Sequence, residues 1–148
     1  MVQIYTRTTL NRVGHQDGRL AVLLSSQTSK GEVTLTKIAP AHKKTKQWGD
    51  IAVVNMALER VKRTEPVEIY TETAYVLDNL PRLKQWQQAS WKTSKGTDVA
   101  NAEEWKKLKD LLSGRVFRIH VAEDHKYREW LKEAIEHPQK EWEGTYDI

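Results

Sequence analysis

EIYTETAYV, residues 68–76, and WKTSKGTDVANAEEW, residues 91–105, decide how the chain is read. The first has the composition of a buried strand, since β-branched and aromatic side chains suit a pleated surface, and it ends on a carboxylate, Glu72. The second reads as a surface loop running into a helix. A segment of the same design opens the chain: VQIYTRT, residues 2–8, carries Arg7 at the place where the later segment carries Glu72. A guanidinium set against a carboxylate is foreign to a metal centre built from oxygen ligands, and the functional question turns on that pair.

Working outward, RLAVLLSSQ (19–27) and EVTLTKI (32–38) flank Thr28-Ser29-Lys30-Gly31, whose glycine supplies the turn of an antiparallel hairpin. Residues 39–46, APAHKKTK, are expected as a loop with lysines at 43, 44 and 46. The spacing of Ile51, Val54, Leu58 and Val61 predicts a helix over 47–63 with one apolar face. Pro66 separates it from VEIYT, apolar enough for a parallel strand covered on both faces. Beyond Glu72 the helical pattern is broken by Pro81 and resumes through RLKQWQQ. Asn101 is placed to cap the next helix, with Glu104 closing a capping box and Trp105, Leu108 and Leu112 facing inward until Gly114 stops it. RVFRIHV (115–121) is the expected last strand, and Tyr127, Trp130, Leu131, Ala134 and Ile135 mark the inner face of a final helix. This order implies one α/β domain over residues 1–136, followed by a loose tail over 137–148, with a mixed sheet that starts antiparallel and carries helices on its faces.

A chain of 148 residues can bury a core without cross-links, and the absence of cysteine excludes a disulfide framework, a thiolate zinc site and a cysteine nucleophile. The start, MVQIYTRTT, lacks the pattern of a signal peptide and no run is long enough to cross a bilayer, so a cytoplasmic protein without a membrane partner is expected. The net charge of +4 is unevenly spread: residues 1–64 carry 11 Lys+Arg against 4 Asp+Glu, and residues 65–148 carry 13 against 16. A basic amino-terminal half favours a polyanion such as nucleic acid.

Three stretches, SWKTSKGTDVANAEEWKKLKDLL (90–112), IYTETAYV (69–76) and VNMALERVK (54–62), together with the order of elements, resemble the ribonuclease H family, which cleaves the RNA strand of RNA/DNA hybrids. The resemblance reaches to about Ile135 and implies a ribonuclease H-like fold, a five-stranded mixed sheet with helices on both faces. In that family four acidic side chains hold two magnesium ions that activate water and stabilise the leaving oxygen. The resemblance implies metal-binding and catalytic roles for Asp50, Glu72 and Glu129, and it puts Arg7 where the first-strand aspartate would bridge both metals. Arginine offers a planar fork for carboxylates, so it can pair with Glu72 or Asp50 in place of a metal. His125, in VAEDHKYRE, stands where the family has a loop histidine that assists proton transfer or product release.

The same resemblance implies nucleic-acid contacts at Trp86, Trp91, Lys92, Thr93, Lys95 and Asn101, with Lys46 where the family feels the minor groove. Aromatic faces stack on sugars or bases, lysines neutralise phosphates, and amides and hydroxyls position a backbone without reading sequence. Trp105 and Trp130 are expected in the core, whereas Trp91 suits either place. Gln87, Gln88 and Ala89 replace positive charges common in the family's basic protrusion, and Lys43, Lys44 and Lys46 partly offset that loss. Three functions stay open. One is a module, monomeric by default, that binds RNA/DNA hybrid or a related duplex with cleavage lost or attenuated, and therefore needs no cofactor. The others are an active endoribonuclease using Asp50, Glu72 and Glu129 with Mg or Mn, and a protein-interaction scaffold.

Overall fold

The computed structural model describes residues 1–144. Alternating apolar residues at the start form three antiparallel strands, β1 (Val2–Thr8), β2 (Gln16–Thr28) and β3 (Gly31–Lys44). The β2–β3 turn closes where Thr28 pairs with Gly31, which has φ +111° and accepts a 2.7 Å hydrogen bond from Thr28 Oγ1 on its carbonyl. Strand β3 runs six residues past Ile38, through the segment expected to be a loop. Pro40 is tolerated there because, among the described residues, the strand beyond β3 pairs with Leu35 and Thr36, so no ladder bond is lost at position 40.

Helix α1 (Lys46–Arg60) starts at Thr45, whose hydroxyl accepts the Trp48 N–H at 3.1 Å, and ends three residues earlier than its apolar face suggested, with Val61 capping it in an extended conformation. There follow β4 (Val67–Thr71), α2 (Tyr75–Asn79), a 3-10 turn at Leu80–Arg82, α3 (Leu83–Gln88), α4 (Ala102–Leu112), β5 (Phe117–Val121), α5 (Arg128–Ala134) and β6 (Glu143–Gly144). The sheet order is β5-β4-β1-β2-β3-β6, with β1, β4 and β5 parallel. Among the described residues the sheet therefore has six strands rather than the five expected. The sixth comes from the segment taken for a loose tail, where Gly144 comes so close to β3 that a Cβ would sit 2.3 Å from Thr34 O. The last four residues of that segment, 145–148, lie outside the described residues.

One face of the sheet packs Val2, Ile4, Leu24 and Ile69 against Ile51, Val54 and Leu58 of α1 and against Trp105 of α4. The other face packs Tyr5, Ala21, Leu23 and Ile38 against Leu131 and Ile135. Two sequence expectations fail here. Trp130 is 41% exposed rather than in the core, because α5 turns Tyr127, Leu131 and Ile135, four residues apart, toward the sheet and position 130 away from it. Asn101 has a left-handed backbone and no side-chain cap bond. The capping box does not form, since buried Asn55 of α1 donates its Nδ2 to both the Glu104 carboxylate, at 2.8 Å, and the Glu104 carbonyl, at 2.9 Å.

Candidate functional site

Parallel pairing puts the carboxyl ends of β1 and β4 side by side, and the chain leaves them in different directions, β1 toward β2 and β4 into α2. Such divergence leaves a crevice beyond the strand ends. Arg7, one position before the end of β1, and Glu72, one residue past β4, meet across it: Arg7 Nη1 donates to Glu72 Oε2 at 3.0 Å, with the side chains 25% and 30% exposed. Helix α1 approaches closely because Gly49 carries no side chain; a Cβ there would lie 2.7 Å from Leu10 Cδ1. That approach brings Asp50 to the same crevice, where it accepts a 3.1 Å hydrogen bond from Thr73 Oγ1.

Arg7, Lys46, Asp50, Glu72, Thr73 and Glu123 line a cavity of about 220 Å³. Burial pushes the Glu72 carboxyl above its ordinary range; Arg7 and, more weakly, Arg128 pull it back, while Glu123 and Asp50 push it further up. Asp50 is likewise raised by burial, with the Thr73 hydrogen bond and Lys46 acting against that. His125 lies in an adjoining narrow cleft with Arg7, Glu72, Glu123 and Arg128. Its ring rests on Tyr5, centroids 4.8 Å apart, and its Nδ1 accepts the Tyr127 N–H at 3.1 Å, which leaves the proton of the neutral ring on Nε2. Burial lowers its pKa, and Arg128 adds to that while Asp124 opposes it.

Of the four positions assigned to the centre by sequence, Arg7, Asp50 and Glu72 come together and Glu129 does not. Glu129 is exposed on α5, 3.3 Å from Arg128 Nη1, and lines neither cavity. Among the described residues no group of three or more His, Cys, Asp or Glu side chains converges to hold a metal ion. Glu123, two residues past β5, is the acidic neighbour that sequence reasoning missed; the available signal was that it follows a strand end, as Glu72 does.

The residues assigned to nucleic acid divide among neighbouring sites. Trp91, Lys92 and Asn101 line an open groove of about 650 Å³ with Lys44, Trp48 and Lys106. Trp86, Lys92 and Thr93 line a second depression of about 580 Å³ with Arg82. Trp86 lies between Trp91 and Trp105, at centroid distances of 6.4 and 5.7 Å. Lys92 is bound to Asp98, the Thr93 and Thr97 hydroxyls are 2.8 Å apart, and Lys95 is exposed on the same loop. Lys46 faces the Arg7 cavity instead. Trp48, with Lys44 4.8 Å from its ring centroid, is a groove residue the sequence reading passed over.

The family model described as RNase H matches residues 1–129. A ribonuclease H from Syntrophomonas wolfei is 32% identical over 89 residues, 58% of this chain and 61% of its own. Another, from Rhizobium etli, is 31% identical over 86 residues, 57% of this chain and 51% of its own. This chain thus spans about half to three fifths of the curated relatives it matches. Among solved structures, LC9-RNase H1, a type 1 RNase H with the type 2 active-site motif, superposes with a TM-score of 0.71 at 21% identity, over 89% of this chain and 68% of that one. Foamy viral protease-reverse transcriptase in complex with dsDNA gives 0.65 at 16% identity, over 91% of this chain and 88% of that one. The same viral protein in complex with RNA/DNA hybrid gives 0.64 at 16%, over 91% of this chain and 19% of that one. The structural likenesses are likenesses of fold. With the family model covering residues 1–129, the chain belongs to the RNase H family.

Proposed function

We propose that this chain binds RNA/DNA hybrid or a related duplex, and that its strand cleavage is lost or strongly attenuated because Arg7 replaces a metal-binding aspartate. The observation that carries the reading is the 3.0 Å bond from Arg7 Nη1 to Glu72 Oε2. A guanidinium fixed on that carboxylate occupies a lone pair a cation would need and repels divalent charge at the same spot. Two ions about 4 Å apart also need several carboxylates between and around them. Asp50, Glu72 and Glu123 are the acidic residues of the cavity, one is already paired with arginine, and Glu129 is outside. This donor set does not fit a pair of divalent ions. Binding is supported separately, by the aromatic and basic groove at Trp91, Lys92 and Asn101 and by the shared fold with a viral protein solved on RNA/DNA hybrid.

A surviving endoribonuclease using Asp50, Glu72 and Glu129 with Mg or Mn is the second reading, and the shared cavity of Asp50 and Glu72 is what favours it. Cleavage of a labelled RNA/DNA hybrid, first with magnesium and then with manganese, separates the two. The native protein should cleave weakly or not at all, and Arg7→Asp should restore activity. Native cleavage that Glu72→Ala abolishes would establish the enzyme instead. If neither native protein nor Arg7→Asp cleaves and gel shifts show no hybrid bound, the fold serves as a protein scaffold.

A further inference from the structure

The two edges of the sheet are treated differently. At one edge β3 pairs with β6 at Leu35 and Thr36, its Ile38 carbonyl accepts the Gln139 N–H at 3.1 Å, and Pro40 has no N–H to offer. At the other edge, among the described residues, β5 pairs with β4 alone. Val67 N–H donates to Val116 O and Ala122 N–H donates to Thr71 O. Backbone direction alternates along a strand, so the even-numbered residues from 116 to 122 point their N–H and C=O groups at β4, and Phe117, Ile119 and Val121 point theirs outward. On the face shared by Phe117, Ile119 and Val121 the side chains beside this open ladder are apolar: Phe117 is 39% and Val121 44% exposed, and Val116, just before the strand, is 73% exposed, three of the seven exposed large hydrophobic residues among the described residues.

We infer that β5 is a self-association edge, and that its partner is a second copy of this chain paired antiparallel about a two-fold axis at Ile119. The strand is complementary to itself in that register and in no other centred on an outward-facing residue with so full an overlap. Ile119 then faces its own counterpart, and Phe117 of each copy faces Val121 of the other, all three being positions whose backbone groups already point outward. Each of these is a hydrogen-bonded pair, so the open ladder is satisfied along its length. An antiparallel pair about such an axis keeps like faces on the same side, so the exposed Phe117 and Val121 side chains cover one another at the rim of the core that Ile119 enters. On the opposite face Arg118 lies across from the second copy's His120. Each copy brings Glu68, which neighbours Arg118 across the β4–β5 ladder and lies 2.9 Å from the His120 ring, to offset that juxtaposition.

A five-residue strand buries less than the roughly 1,200 Å² typical of stable complexes, so the dimer is weak, with Kd on the order of 10–100 μM. The inference stands apart from hybrid binding. Sedimentation velocity on the whole chain over about 5–500 μM, a range bracketing that affinity, should show a concentration-dependent dimer. Val121→Pro removes an outward N–H and no bond to β4, and should raise Kd at least about tenfold. Two paired variants test the register without proline. Phe117→Lys with Val121→Lys sets like charges opposite each other and should abolish the dimer, whereas Phe117→Lys with Val121→Glu sets each lysine against a glutamate and should keep it. Circular dichroism verifies the fold of each. A monomer at every concentration overturns the inference, as does a dimer that survives the lysine pair or is no stronger with lysine and glutamate than with two lysines.

Discussion

Arg7→Met keeps most of the stem that packs at the end of β1 and removes the charge that faces Glu72. The pair is neither buried nor free, at 25% and 30% side-chain exposure, so its loss falls between the 0–1 kcal/mol of a surface pair and the roughly 3–5 kcal/mol of stranding one partner of a buried pair. With solvent screening weighted in, the expected cost at neutral pH is about 1–2 kcal/mol, or about 2–8 °C in Tm for a chain of this size. The cost should depend on pH in a definite direction. Glu72 already has a folded-state pKa above its ordinary value because burial outweighs Arg7, so its charged form opposes folding, and that opposition fades as pH falls and the carboxyl takes up a proton. Removing Arg7 takes away the main opposing pull and raises the folded pKa further. The deficit of the variant is therefore largest at neutral pH and above, and it closes as pH falls through the raised folded-state pKa of Glu72, first that of the variant and then that of the native protein. Urea denaturation at pH 7 and again in mild acid measures both limits, and Arg7→Met with Glu72→Gln should recover most of the loss. An equal deficit at both pH values would mean that lost packing rather than an uncompensated carboxylate sets the cost. No deficit at either would mean the pair contributes nothing.

Two further outcomes are expected. Thr73→Val removes the hydrogen bond that holds the Asp50 carboxyl down while burial still pushes it up, so the Asp50 midpoint, followed by carboxyl ¹³C NMR, should move upward; an unchanged or lower midpoint rejects that account of the site. Trp105→Ala should cost about 3–5 kcal/mol in urea, since the ring is fully buried against Trp86 and Tyr75, while Trp130→Ala should stay within about 0.5 kcal/mol, and similar losses for the two would contradict the position of Trp130 on the outer side of α5.

What the sequence made legible was local. The Thr28–Gly31 turn and the Ile51, Val54, Leu58 and Val61 face needed only neighbouring residues to specify them, and both are present. The length of β3 was hidden because APAHKK has no strand pattern; it is held extended by pairing with residues 16–20 of β2, a tertiary effect. Trp130 misled because apolar positions in and beside a seven-residue helix can be drawn on more than one face, and only the sheet decides which turns inward. At the site, the meeting of Arg7 with Glu72 followed from the matching ends of two similar strands. Glu123 was legible only as an acid after a strand end; that the turn after β5 folds back toward β1 and β4 is a tertiary fact the order of residues does not carry.

Backbone strain is distributed in a way that bears on function. Among the described residues four non-glycines have positive φ: Lys43 at 51°, Ser90 at 55°, Trp91 at 60° and Asn101 at 60°. Ser90, Trp91 and Asn101 line the same groove, and Lys43 adjoins Lys44, which lines it too. A left-handed backbone costs an L-residue roughly 1–2 kcal/mol, and a tryptophan in it is uncommon. The surroundings hold it there: Trp91 N–H donates to Trp86 O at 2.7 Å, Trp91 O accepts from Val99 N at 2.9 Å, and Thr93 N–H donates to Thr97 O at 2.7 Å. Whether Trp91 belongs to the core or to the groove is thus a false choice, since its ring reaches the core through Trp86 and Trp105 and also forms part of the groove wall. The Arg7 cavity carries no such strain at Arg7, Asp50, Glu72 or Glu123; its distinguishing feature is the guanidinium set against the Glu72 carboxylate. A costly backbone along the groove and a cation on the carboxylate of the neighbouring cavity are the two features on which the proposed binding without efficient cleavage rests, and the Arg7→Asp cleavage assay tests them together.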